Sequence, residues 1–207
     1  LPAPRRFLEP AHYGGLEQPV ATIASRHWRS RATDGHQPVV VDVGCGEGRL
    51  LAGIGDAIAP VLPAVRLVGL DLSKDAATMT ARRDRTWEVA VADVRRGLPL
   101  RDGSVEILLN SFAPRNAAAF SRALTPDGIA IVAIPSDDHL VELRDAVDLL
   151  RVEPMKLERL VDQSAGYLAL ADVVSVDESR TFDAMAIDDI LMMTPNAWHL
   201  TKAQRRR

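Results

Sequence analysis

The residues best placed to do chemistry are Val39-Val40-Val41-Asp42-Val43 and the loop they run into, Gly44-Cys45-Gly46-Glu47-Gly48. A β-branched run reads as a buried strand, and the glycines let the backbone approach a ligand closely. The N–H groups at the start of the helix that follows face the same ligand. A dinucleotide fingerprint is spaced G-x-G-x-x-G. Here Gly44, Gly46 and Gly48 read G-x-G-x-G, with Asp42 two residues ahead of the first glycine. That combination favours S-adenosylmethionine over a nicotinamide dinucleotide, with Asp42, Gly44, Gly46 and Glu47 as cofactor-binding candidates. The chemistry would be methyl transfer. The sulfonium already activates the methyl group, so the protein mainly aligns donor and acceptor and helps remove a proton from an amide-like nitrogen. The plain alternative is a glycine-rich strand-to-helix turn with no ligand.

Open α/β sheets bind ligands at the carboxyl ends of their strands. Asp71 closes Gly69-Leu70-Asp71 and can accept two hydrogen bonds from a ribose diol; capping the next helix is the competing role, but Ser73 suits it better. Asp93, after the third strand, can accept from an adenine amino group or be a turn aspartate. Asn110, Ser111 and Arg115 follow the fourth strand and are the substrate-side candidates. His139 can contact the cofactor carboxylate, act on substrate, or be a structural histidine in a helix first turn. No residue stands out as a general base. Cys45 is the single cysteine; it excludes internal disulfides and a cysteine-based zinc site within these residues. With no histidine near it in sequence, it reads as a small packing residue rather than a nucleophile. No metal-ligand spacing is present.

These groups need a scaffold. Short apolar runs at 39–43, 66–70, 88–92, 105–110 and 128–134 alternate with helical stretches at 49–58, 74–83 and 116–124. The alternation predicts an α/β fold with a doubly wound, mainly parallel sheet. Thr125-Pro126-Asp127-Gly128 reads as a helix stop and turn. A helix over 16–31 precedes the first strand. After the fifth strand come helices to about Leu150, near 156–163 and over 183–193, with a sixth, more exposed strand at about 171–182. We therefore expect one domain: residues 1–35 as a helical segment covering the cofactor, 36–135 as the nucleotide-binding core, and 136–207 as substrate-side helices with the sixth strand.

The 207 residues are 47% hydrophobic and 26% charged, ordinary for one globular domain. No apolar run is long enough to span a membrane and no signal peptide is visible, which with the single cysteine suits the cytoplasm. The chain begins at Leu1 rather than Met, as a trimmed piece would. Net charge is −3, whereas a protein gripping a phosphate backbone usually carries a basic excess; this counts against nucleic acid as a partner of the isolated domain. Arginines do cluster at 5–6, 26–31, 82–85 and 205–207, either as solvated faces or as contact points.

Four blocks carry a resemblance to a known family. They are Arg6-Phe7-Leu8-Glu9-Pro10-Ala11-His12-Tyr13, the glycine block, Gly69-Leu70-Asp71-Leu72-Ser73-Lys74, and Phe112-Ala113-Pro114 continuing to Pro135 and His139-Leu140-Val141-Glu142-Leu143. Met193-Thr194-Pro195-Asn196-Ala197-Trp198 adds a late M-T-P-x-A-W element. The chain resembles the bacterial 23S rRNA (guanine-N1)-methyltransferases, including the tylosin- and mycinamicin-resistance type. The resemblance implies a Rossmann-like class I methyltransferase with an rRNA hairpin as substrate, in a family some of whose members give macrolide resistance. It implies cofactor contacts from Tyr13, Gly46, Glu47 and His139, Asp71 on the ribose, and Thr194, Pro195 and Trp198 near the substrate opening. The family's upstream four-cysteine zinc module and its final strand are absent from this sequence, so zinc is expected only in such a missing module. A homodimer is compatible with the resemblance. Two other readings stay open: methylation of a small molecule such as a natural product, and a non-catalytic protein that binds S-adenosylmethionine.

Overall fold

The computed structural model describes residues 14–29, 37–60, 64–146 and 155–193. Helix α1 (Gly14–Arg29) precedes strand β1 (Val39–Val43). There follow α2 (Arg49–Ile58), β2 (Arg66–Asp71), α3 (Lys74–Arg83), β3 (Glu88–Val91), a 3-10 turn at Val94–Arg96, β4 (Val105–Ser111), α4 (Ala117–Ala123) and β5 (Leu124–Ala133). Helices α5 (Val141–Ala146), α6 (Lys156–Ser164) and α7 (Ala184–Met193) complete the described chain.

The five strands form one sheet, ordered β3-β2-β1-β4-β5, and every pair is parallel. Side chains alternate across a strand, so neighbouring valines of β1 serve opposite faces. Val40 packs with Leu67, Ile107 and Leu109 under α1 (Val20, Ala24, Trp28) and α2 (Leu51, Ile54, Ile58). Val41 and Val43 pack with Val68, Leu70 and Leu108 against Phe120 and Ala123 of α4. Each such fully buried apolar side chain contributes about 1.5–3 kcal/mol. Two covered faces are why the β1, β2 and β4 runs are rich in Val, Leu and Ile, whereas edge strand β3 is largely exposed.

The sequence-based elements fall within a few residues of these bounds, with two corrections. Thr125-Pro126-Asp127-Gly128 does not separate helix from strand. Leu124 already pairs with Val105, and the ladder resumes at Ile107 and Ile129 across a register shift. Gly128 makes this possible, since a Cβ there would sit 2.8 Å from the Val105 carbonyl oxygen. The expected sixth strand is also not formed: residues 168–183 carry no regular structure, and Val173, Val174 and Val176 are exposed. β-branched residues make a strand only where a neighbour supplies hydrogen bonds and a packing surface. Among the described residues nothing pairs with this segment.

Packing divides the described chain into two units. The larger is Leu16–Ile134 with Leu157–Ser175; α5 and α7 belong to the other. Of the N-terminal segment expected to cover the cofactor, α1 packs in the core over the β1–β4 face, and residues 1–13 and 30–35 lie outside the described residues. No helix among the described residues is long and apolar enough to cross a membrane.

Candidate functional site

In the larger unit, a cleft of about 280 Å³ opens at the carboxyl ends of the strands. It lies where the strand order reverses between β1 and β4, the usual ligand position of such sheets. Val43, Gly44, Leu70, Asp71, Asp93 and Ser111 are among its lining residues, with Phe112, Ala113 and Pro114 from the loop after β4.

The glycine loop is built for this position. Gly44, Gly46 and Gly48 have φ of 84°, 55° and 74°, the left-handed region that only glycine enters at little cost. The Gly44 and Cys45 N–H groups donate to the Leu70 carbonyl at 2.7 and 3.0 Å, and Gly46 N–H donates to Asp71 Oδ2 at 2.8 Å. Asp71 Oδ1 accepts from Ser73 N–H, also at 2.8 Å. Ser73, not Asp71, caps α3, its hydroxyl accepting from Ala76 N–H. The three glycines differ in what surrounds them. A Cβ on Gly44 would lie 2.3 Å from the Ala113 Cβ, and one on Gly48 would lie 2.8 Å from Thr80 Cγ2, whereas one on Gly46 would meet nothing within 4 Å. Gly44 and Gly48 are there for packing; Gly46 borders open space. Gly44→Ala should therefore destabilise the fold by roughly 2–5 kcal/mol through left-handed strain plus overpacking. Thermal unfolding checks this, and Ala113→Gly in the same chain should restore part of the loss.

Asp42 is buried, and among the described residues its Oδ1 has no hydrogen-bond partner. Burial first, and the nearby charge of Asp71 second, push its carboxyl up to about 7. An acid raised in the folded state takes up a proton on folding between its ordinary value near 4 and 7. Its contribution to stability is therefore lost as pH rises through that window, by a few kcal/mol in all. Asp42→Asn should remove this slope. Denaturant unfolding at pH 5 and pH 8 should show the wild type losing stability relative to the variant; parallel behaviour refutes the assignment.

The remaining candidates separate. Glu47 is buried within the loop. Asp93 lines the cleft, and its carboxyl is held low chiefly by hydrogen bonds from Arg95, at 2.9 and 3.0 Å. Ser111 lines the cleft. Asn110 does not: it is fully buried, and its Nδ2 donates to the Val43 and Pro114 carbonyls at 2.9 and 3.1 Å. It ties β1 to the loop that begins at Phe112, which has φ 54° and an exposed side chain. Arg115 follows that loop, half-buried, and desolvation lowers its guanidinium's proton affinity. His139 belongs to the other unit, where burial, then Arg144 and Lys156, hold its imidazole below the ordinary value. Tyr13, Thr194, Pro195 and Trp198 lie outside the described residues.

Sequence reasoning overlooks two residues of α3. Thr80 is buried, and its hydroxyl donates to the Gly46 carbonyl at 2.8 Å; Arg83 Nε donates to the Glu47 carbonyl at 2.5 Å. Helical spacing puts 77, 80 and 83 on one face, so an inward face is readable, but nothing in the spacing names the loop it meets.

Residues 40–128 match a family model described as a methyltransferase domain. A Streptomyces fradiae 23S rRNA (guanine(748)-N(1))-methyltransferase is 36% identical over 193 residues, covering 93% of this chain and 66% of that protein. A Micromonospora griseorubida protein named for the same guanine-N1 activity is 36% identical over 212 residues, covering 99% of this chain and 70% of the relative. The chain belongs to the 23S rRNA (guanine-N1)-methyltransferase family. As a member of that family it spans about two thirds of the length of these relatives. Solved structures agree on the fold alone. A chain from the complex of the Haloferax volcanii Trm112 methyltransferase activator with its methyltransferase has a TM-score of 0.52 at 18% identity, covering 86% of this chain and 88% of that one. The DszA carbon methyltransferase has a TM-score of 0.53 at 15% identity, covering 63% and 38%. For this guanine-N1 methyltransferase relative, a methyltransferase domain and the class I fold are thus shown.

Proposed function

We propose that this chain transfers a methyl group from S-adenosylmethionine to N1 of a guanine in 23S rRNA. The observation that carries the reading is the bond from Gly46 N–H to Asp71, which joins the glycine loop to the second strand's carboxylate beside a space that a Cβ would not fill. A donor with a sugar diol, a sulfonium, a zwitterionic amino acid end and an adenine suits that set. When bound, the donor supplies a methyl group already activated by a positive sulfur. Asp71 keeps acceptor capacity for the ribose hydroxyls beyond its two backbone bonds. Asp71 brings a carboxylate to the cleft that receives the positively charged donor, while Asp42, buried just ahead of the glycine loop, backs that loop rather than lining the cleft. Leu72 and Asp93 border the adenine end. Tyr13, Glu47 and His139 enter on the family resemblance.

A guanine in a duplex must be turned out of the stack before its N1 can be reached. Ser111 and Arg115 would orient its Watson–Crick edge, while Asn110 fixes the loop that carries them. The same reading extends to an rRNA hairpin as the recognised element, a homodimer as the acting species, the cytoplasm as the place, and macrolide resistance as the consequence. Incubation with methyl-labelled donor and 23S rRNA, followed by nucleoside digestion, should release N1-methylguanosine. A protein that binds the donor but labels no RNA, ribosomal or naked, overturns the substrate and leaves small-molecule methylation or donor binding alone.

A further inference from the structure

The α3 helix reaches the glycine loop twice. The Thr80 hydroxyl donates to the Gly46 carbonyl and Arg83 Nε to the Glu47 carbonyl. Thr80 has one proton, and it is committed to Gly46. Its oxygen lies 3.7 Å from Cys45 Sγ, and that thiol is also placed to donate to the Gly46 carbonyl at 3.8 Å. The Thr80 methyl fills the space below two glycines: a Cβ on Gly48 or Gly69 would lie 2.8 or 3.1 Å from it. Thus the methyl packs the loop and the hydroxyl orients it, two separable jobs on one side chain.

The orientation matters because a trans peptide sets its C=O and the next N–H on opposite sides. Holding the Gly46 carbonyl toward α3 turns the Glu47 N–H away from α3. The Gly46 N–H of the preceding peptide is fixed by Asp71 and the Glu47 carbonyl of the following peptide by Arg83, so the 46–47 peptide, itself held by Thr80, sits between two anchored neighbours. A loop held this way binds without first losing conformational freedom. We propose that Thr80 and Arg83 are positioning residues for the donor, setting the glycine-loop peptides that meet its amino acid end. The proposal rests on the S-adenosylmethionine reading above and adds residues that touch no ligand.

The test separates hydroxyl from methyl. Thr80→Val keeps the packing and loses the bond; Thr80→Ser keeps the bond and loses the packing. Calorimetric titration with S-adenosylmethionine and with its demethylated product should show Thr80→Val weakened about tenfold, with Tm lowered by the few degrees that one lost hydrogen bond costs. Thr80→Ser should lose Tm yet bind within about threefold of wild type. Arg83→Met should weaken binding by a similar factor to Thr80→Val. In methylation assays the larger part of each binding loss should fall in the donor KM rather than in kcat. Wild-type affinity in Thr80→Val, or affinity losses that track Tm across both Thr80 variants, overturns the positioning role. Wild-type protein that binds neither ligand overturns the donor reading itself, before any variant is compared.

Discussion

Gly46→Arg should fold and fail to bind S-adenosylmethionine. The two halves of that expectation come from separate observations. Folding survives because a Cβ at Gly46 meets nothing within 4 Å; only the left-handed φ of 55° is penalised, at about 1–2 kcal/mol. A domain of this size would lose only a few degrees in Tm for that. Binding is lost because the open space beside Gly46 is the space assigned to the donor, and a long side chain occupies it. The new guanidinium also lies next to Asp71, the acceptor meant for the sugar. Affinity should fall by at least about three decades, worth roughly 4 kcal/mol. Gly46→Ala carries the same backbone penalty with little bulk and should fall far less. Circular dichroism and calorimetry decide it: an Arg variant that is folded and binds within a few-fold of wild type removes the pocket from this end of the sheet.

How much of this was readable from residues alone depends on whether a local pattern has one structural meaning. The β1 run and its glycines do, since a continuous apolar strand must be covered on both faces and closely spaced glycines must turn. Asp71 was readable for the same reason, as the first polar residue after a buried strand. Asn110 shows where residue type misleads. A polar group at a strand end suggests a ligand, yet Asn110 shares the Leu108 face, and its amide serves the Val43 and Pro114 carbonyls instead. Strand parity held that information; the neighbour that uses the amide was not in the pattern. The segment at 171–182 has strand-forming residues without a strand, because pairing is a property of two segments. Thr80 and Arg83 needed the packing of α3 on the loop, which no sequence distance encodes. The acidic net charge excluded less than it suggested, since family membership and not charge points to RNA.

Asp71 decides whether the cleft holds a sugar or merely stays folded. Its two oxygens accept from Gly46 and Ser73 N–H groups, each at 2.8 Å, so Asp71→Ala frees the loop as well as removing any sugar contact. Bonds to a charged acceptor contribute about 1.5–3 kcal/mol each when shielded, and less here because Asp71 is partly exposed. Donor affinity should therefore drop by about 100-fold or more, with a clear loss of Tm. That drop alone does not separate anchoring from recognition. A ligand lacking the ribose 2′-hydroxyl does. Wild type should distinguish S-adenosylhomocysteine from its 2′-deoxy form by about tenfold or more, and Asp71→Ala should distinguish them by less than about threefold, so the two losses overlap rather than add. Full additivity would make Asp71 an anchor of the glycine loop and move the sugar elsewhere in the cleft, toward the Asp93–Arg95 pair.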